Sequence, residues 1–218
     1  MGIGYRLAGL SLLGVIGDHG NLVIPTLSFS SIDEKAPFFD VNETPSDCGV
    51  ISETFRKMPG VARSIHPFSS IAAFGPESLF ITVGHHPTPC GIGSPYYKVL
   101  ELQGYSLFIG AGLQANTLFH VAEEIVNPPY LRYKCFKKVR VKTESGAVVS
   151  GTFSRYDCYQ TGIIRELEKM EEVLRKRGAI RDFDVGNSHF MLVSAVENVR
   201  ISCEVLKHNY EFILKGAK

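Results

Sequence analysis

The sequence predicts an α/β fold, a sheet flanked by helices, built as one domain. Three observations carry that expectation. Short apolar runs rich in β-forming residues recur along the chain, and continuous rather than alternating apolarity marks strands covered on both faces. Amphipathic segments at helical spacing occupy the C-terminal third. The 218 residues, 44% hydrophobic and 21% charged, suffice for one sizeable core, and show no internal repeat, low-complexity segment or linker.

Each element follows from its residues. The opening "IGYRLAGLSLLGVIG" is apolar, carries Arg6 and is shorter than the ~20 residues that span a bilayer. Lacking a basic start and a small-residue cleavage site, it reads as a buried helix leading into a strand rather than a signal peptide. "NLVIPTLSF" (Asn21 to Phe29), bounded by Gly20, reads as a buried strand. Ser46 or Asp47 is placed to cap a short helix through Phe55 that ends at Met58-Pro59-Gly60. "SLFITVG" (Ser78 to Gly84) and "SLFIGAG" (Ser106 to Gly112) read as further buried strands.

After the second of these comes a short helix with Leu118, Ala122 and Ile125 inward, ended by Asn127 before Pro128. "KKVRVKTESGAVVSGTFS" holds two alternating runs around Glu144-Ser145-Gly146, a peripheral β-hairpin. Ile163, Leu167, Met170 and Leu174 share one helix face, with Arg175 to Arg177 in the last turn and Gly178 as the stop. Leu192, Val196, Val199, Cys203 and Leu206 mark a second helix.

Charge and cysteine usage narrow the partners. A formal net charge of +1 gives no electrostatic case for nucleic acid or a membrane surface. The basic run "LRYKCFKKVRVK" alternates with apolar residues, as an exposed strand face does. Five widely spread cysteines without a C-x-x-C pair fit neither a disulfide framework nor a structural zinc site, which favours a reducing cytosol.

"GAGLQANTLFHVAEEIVNPPY" (Gly110 to Tyr130) admits three chemical readings. Gly110, Gly112 and Ala115 satisfy the dinucleotide pattern G-x-G-x-x-A between a strand and a helix. The acidic residue that pattern needs about 20 positions on is missing between Ile125 and Thr143. The second is a metal site, with His120, Glu123 and Glu124 on adjacent turns; the zincin motif H-E-x-x-H is absent, and His85-His86 with Cys90 could supply distant ligands. The third reading is general acid–base catalysis: His120 and Glu123 are one turn apart, so the carboxylate can orient the imidazole. A structural histidine near a helix start is the competing account. "ARSIHPFSS" gathers Arg63, Ser64, His66, Ser69 and Ser70, either a phosphate or pantetheine site or a solvated loop.

Taken in order, "GNLVIPTLSF", "TPSDCGVISETFRKMPGVARSIHPFSSIAAFG", "GIGSPYYKVLELQGYSLFIGAG", "NTLFHVAEE" with "PPY", and "YDC" resemble the aminoglycoside 3-N-acetyltransferase family, over roughly Gly20 to Val205. The resemblance implies a mixed β-sheet sandwiched by helices and an acyltransferase that moves an acetyl group from acetyl-CoA to an amine. It implies a catalytic group of His120, as general base, with Thr117 and Glu123 beside it. It implies coenzyme contacts by Arg63, Ser64, His66 and Ser69, with no metal, and oxyanion donors among the glycine-turn amides.

The acceptor implied is an aminoglycoside or related amino sugar, for which Glu123, Glu124, Asp33, Glu34 and Asp40 could form an acidic pocket. Partner expectations are acetyl-CoA, a small amine and a homodimer, without nucleic acid or membrane, in the cytoplasm. The family pattern opens with a strand and a serine-rich turn, whereas Met1 falls in the helix after them. One N-terminally short domain, residues 1–218, is the resulting expectation, and a degenerate acyltransferase-like binding protein without turnover is the alternative.

Overall fold

The computed structural model describes residues 11–85, 87–157 and 162–216. It is a mixed α/β structure whose strands form three three-stranded sheets. The chain packs as two compact units. The first comprises the described residues through Pro89, Gly93–Pro95 and Lys134–Arg155; the second comprises Cys90–Ile92, Tyr96–Tyr133 and the described residues from Tyr156 onward.

The first unit carries two of the sheets. One has the order β1-β4-β3, from Leu22–Pro25, Ile71–Phe74 and Ala62–Arg63, all antiparallel. The other has the order β2-β6-β7, from Phe38–Asp40, Tyr133–Lys142 and Val148–Tyr156, with β2 parallel to β6. Strands β6 and β7 form the expected hairpin, closed by Thr143 and Ala147, with Gly146 at φ +85°. Along β6 the inward positions pass from Phe136 to Val139 and Val141. The alternation slips at Lys138, whose φ of +57° interrupts the pleat. Phe39, Phe68, Phe136, Val139, Val141 and Phe153 form the core beneath this sheet.

The second unit is built on the antiparallel sheet β5-β9-β8, from Tyr105–Ile109, Ser188–Ser194 and Ile180–Val185. Numbering residues 11–16 as α1, the helices are α2 (Val50–Phe55), α3 (Ser78–Thr82), α4 (Pro95–Glu101), α5 (Phe119–Val126), α6 (Lys169–Lys176) and α7 (Ala195–Asn209). Helix α7 is capped by the Ser194 hydroxyl, which accepts from the Glu197 amide, and it packs against α5.

Several expectations are corrected here. Residues 78–82 are helical, not a strand. Thr82 bonds back to the Ser78 carbonyl at 2.8 Å, and Ile81 and Thr82 face inward while Leu79 and Val83 lie exposed. A short apolar run has no periodicity that separates a strand from a helix, and the turn before it decided the matter. That turn needs Gly75: its φ is +128°, and a Cβ there would lie 2.4 Å from the Gly20 carbonyl oxygen.

Leu192 belongs to β9, paired with Leu107, so α7 begins only at Ala195. Helix α6 likewise starts at Lys169, six residues after Ile163. Helix α2 has Gly49 as its N-cap and no side-chain cap. Ser46 instead donates its amide to Glu53 Oε2 at 2.8 Å, and Asp47 accepts from the Ser30 amide at 2.7 Å. Residues 11–16 are helical, but Val15 is exposed. On α5, Phe119, Val121, Ala122 and Glu123 are buried, and Ile125 is exposed. Asn127 ends α5, as the following proline predicts, and does so in the left-handed conformation that asparagine tolerates.

Candidate active site

Strand β5 delivers the chain to Gly110, whose φ of +61° turns it away from the sheet and whose amide donates to the His189 carbonyl at 2.9 Å. That bond removes Gly110 from the expected oxyanion donors. A 3-10 turn, Leu113–Ala115, leads to Asn116 and then α5. The Thr117 carbonyl accepts the His120 amide at 3.0 Å, so Thr117 sets the first turn of α5 through its backbone.

His120 Nδ1 lies 2.6 Å from Glu123 Oε2. With Nδ1 donating to the carboxylate, Nε2 is left as the acceptor atom of the ring. The Glu123 side chain is fully buried, whereas that of His120 is 21% exposed. The second Glu123 oxygen accepts from the Tyr130 hydroxyl at 2.6 Å and from Arg165 Nε at 2.7 Å. Burial opposes ionisation of Glu123, but His120, Arg165 and Tyr130 outweigh it and hold the carboxyl below its usual pKa. Burial and the neighbouring Glu123 charge push the Tyr130 hydroxyl the other way, so it stays a donor.

A second layer surrounds the pair. The Tyr156 ring lies 4.9 Å from the His120 ring, and its hydroxyl donates to Glu124 Oε1 at 2.6 Å. The same Glu124 oxygen accepts the Cys90 amide at 2.6 Å. Arg165 stands 5.6 Å from the centroids of both the Tyr130 and Tyr156 rings. Sequence reasoning placed His120 and Glu123 together because they are neighbours on one helix. It missed Arg165, whose 42-residue separation from Glu123 leaves no local signal.

The residues expected to hold coenzyme behave differently. Arg63 is buried, and its guanidinium donates to the Thr26 and Thr44 carbonyls at 2.8 and 2.6 Å. Further donations reach the Ser28, Thr26 and Ser70 hydroxyls at 3.0, 3.1 and 3.1 Å. Its fork is therefore engaged within the protein.

Ser64, His66 and Ser69 are also buried. Ser64 Oγ lies 2.9 Å from His85 Nδ1 and accepts the Ile71 amide at 3.0 Å. His66 Nδ1 accepts the Phe68 and Ser69 amides at 3.3 and 3.0 Å, so Nε2 carries the hydrogen and donates to the Pro87 carbonyl at 3.2 Å. These bonds tie the loop to residues 85–87 and to the start of β4.

The loop carboxylates expected to attract a polycation are paired as well. Glu34 bridges Lys134 and Arg155 at 2.5 Å each, and Asp40 meets Lys142 at 2.9 Å. His85 Nε2 lies 3.0 Å from the Pro89 carbonyl. Among the described residues no group of three or more His, Cys, Asp or Glu side chains is placed to hold a metal ion. His86 and Cys158 lie outside the described residues.

Known proteins share this arrangement of elements. Aminoglycoside N(3)-acetyltransferase IV from Salmonella sp is 40% identical over 123 residues, 55% of this chain and 45% of that protein. Aminoglycoside N(3)-acetyltransferase III, also from Salmonella sp, is 28% identical over 199 residues, 85% of this chain and 69% of that protein. A mutant of aminoglycoside acetyltransferase AAC(3)-IVa, solved in complex with a gentamicin, superposes with a TM-score of 0.79 at 26% identity. That match covers 96% of this chain and 77% of the solved one. The chain spans about half the length of the curated relatives it matches. Residues 8–207 match the family model described as Aminoglycoside 3-N-acetyltransferase, and the chain belongs to that family.

Proposed function

We propose that the chain is an acetyl-CoA-dependent N-acetyltransferase acting on an amine of an aminoglycoside or related amino sugar, with His120 as general base. The observation that carries this reading is the 2.6 Å contact between His120 and the fully buried Glu123 carboxylate. A buried carboxylate that fixes Nδ1–H presents Nε2 as a base of defined direction. The amine nitrogen attacks the thioester carbonyl, Nε2 takes the proton from that nitrogen, and the C–S bond breaks as the tetrahedral adduct collapses. The products are the N-acetyl amine and coenzyme A, whose thiolate takes up the proton that His120 releases. No covalent enzyme intermediate is needed.

Glu123 is the positioning residue for His120, and Thr117 sets the helix turn that presents both. Arg63, Ser64, His66 and Ser69 give the coenzyme loop its shape from within. No described helix is long and apolar enough to cross a membrane, and the compartment this reading calls for is the cytoplasm. The test is release of free thiol from acetyl-CoA across a panel of aminoglycosides and simpler amines. Amine-dependent release that disappears in His120→Asn supports the reading. Acetyl-CoA binding without release across the panel would replace it with a binding protein of the same fold.

A further inference from the structure

We infer that Arg165 is a positioning residue for the His120–Glu123 pair: it is the permanent counter-charge that keeps Glu123 ionised while His120 is neutral. The inference rests on the general-base reading of His120 and goes beyond it.

The reasoning starts from an electrostatic problem within the site. A general base must be neutral before it acts, yet Glu123 is a carboxylate with a fully buried side chain. If neutral His120 were its sole partner, the unpaired buried charge would be expensive. It would be relieved either by drawing a proton onto the imidazole too early or by protonating the carboxylate itself. The first loss removes the base, and the second removes its orientation. Arg165 prevents both, because a guanidinium stays charged throughout the working pH range. Its Nε lies 2.7 Å from Glu123 Oε1, the oxygen that does not face His120. The two carboxylate oxygens thus divide their tasks, one toward the imidazole and one toward a fixed cation.

The surroundings hold Arg165 for this purpose. Its side chain is 13% exposed, between the Tyr130 and Tyr156 rings. Its backbone forms an isolated bridge with Leu214. Flanking bonds run from the Glu166 amide to the Ile213 carbonyl at 2.7 Å and from the Lys215 amide to the Ile164 carbonyl at 2.9 Å. The C-terminal segment therefore fixes the stretch of chain from which Arg165 reaches Glu123.

Other titratable groups around the pair are Tyr130 on the Glu123 side and Tyr156 against the imidazole. Glu124 and Cys90 are joined to Tyr156, with Tyr133 5.7 Å from its ring. From α7, the neutral Asn198 faces Asn116. Among these groups Arg165 is the permanent cation.

The test is a titration of the His120 imidazole by NMR, assigned by comparison with His120→Asn, in wild type, Arg165→Gln and Arg165→Lys. Removing the cation leaves Glu123 uncompensated and stabilises the imidazolium. His120 in Arg165→Gln should therefore titrate about one pH unit higher, a tenfold shift in the proton equilibrium. Arg165→Lys should return it most of the way. Should Arg165→Gln not fold, Arg165→Met removes the charge while keeping an apolar stem between the tyrosine rings.

In kinetics, the acid limb of the pH–rate profile should move to higher pH by the same amount in the neutral variant. A merely structural arginine would lower the melting temperature and leave the titration where it was; that result overturns the inference. Because the NMR reading needs no turnover, it stands apart from the general-base reading, which fails if His120→Asn remains fully active.

Discussion

Asn116 and Asn198 exchange two side-chain hydrogen bonds, at 3.1 and 2.9 Å, across 82 residues of chain. Both are buried. Each amide gives its NH2 to the other's carbonyl oxygen, so the pair is mutually satisfied. It ties the turn entering the histidine helix to the first turn of α7, and thereby fixes where that helix begins. Replacing one partner leaves the other's polar atoms buried without a bond, which costs about 1–3 kcal/mol. Asn198→Ala and Asn116→Ala should each destabilise by that amount, and the double variant by much less than their sum. Denaturant unfolding of the four proteins measures the coupling; strictly additive losses would mean that the two amides act independently.

Replacing His120 separates catalyst from scaffold. General-base assistance is worth about 10² to 10⁴ in rate. His120→Asn should retain the melting temperature and acetyl-CoA affinity while kcat falls by about a hundredfold or more. Glu123→Gln should fall less, because it orients the imidazole and does not take the proton. The wild-type rate should rise with pH as the imidazole loses its proton, and that limb should vanish in His120→Asn. An early-melting variant with normal turnover would make His120 part of the scaffold.

Arg63 should matter to stability before it matters to coenzyme. Its guanidinium joins Thr26, Ser28 and Ser70 to the Thr44 backbone and stacks 4.8 Å from the Phe39 centroid. Arg63→Ala strands those acceptors and opens a cavity, an expected loss of about 3–5 kcal/mol. Thermal unfolding followed by calorimetry with acetyl-CoA decides between the roles. A variant that melts normally yet binds coenzyme poorly would return Arg63 to the ligand.

Glu53 should make the first unit acid-sensitive. Burial opposes its charge, but Arg56, Lys57 and the Ser46 amide overcome this and lower its pKa to about 2. Arg56 Nε and Nη2 each reach the carboxylate at 2.6 Å, a bidentate contact. The folded-state value lies below the unfolded one. Its stabilisation is therefore complete above about pH 4.5 and disappears as pH falls toward about 2. Glu53→Gln should be less stable than wild type at neutral pH by on the order of 1 kcal/mol, since solvent screens a part-exposed pair. Unfolding free energies of the two should converge between pH 4.5 and 2, and a constant gap across that range would refute the assignment.

The sequence by itself determined what depends on near neighbours. His120 and Glu123 meet because three residues make one helical turn. The turn at Gly146 and the stop at Asn127 before Pro128 follow from local backbone preferences. The family motifs are strings of adjacent residues and are legible for the same reason. Tertiary structure decided the rest. Residues 78–82 became a helix because the Gly75 turn and burial of Ile81 and Thr82 outweighed an ambiguous apolar run. Leu192 went to a strand because Leu107 paired with it. Arg63 reads as a loop cation in one dimension, and only the carbonyls and hydroxyls contributed by Thr26, Ser28, Thr44 and Ser70 make it a buried tie. Arg165 carries no mark of its task in the sequence, because the charge that needs it is buried 42 residues away.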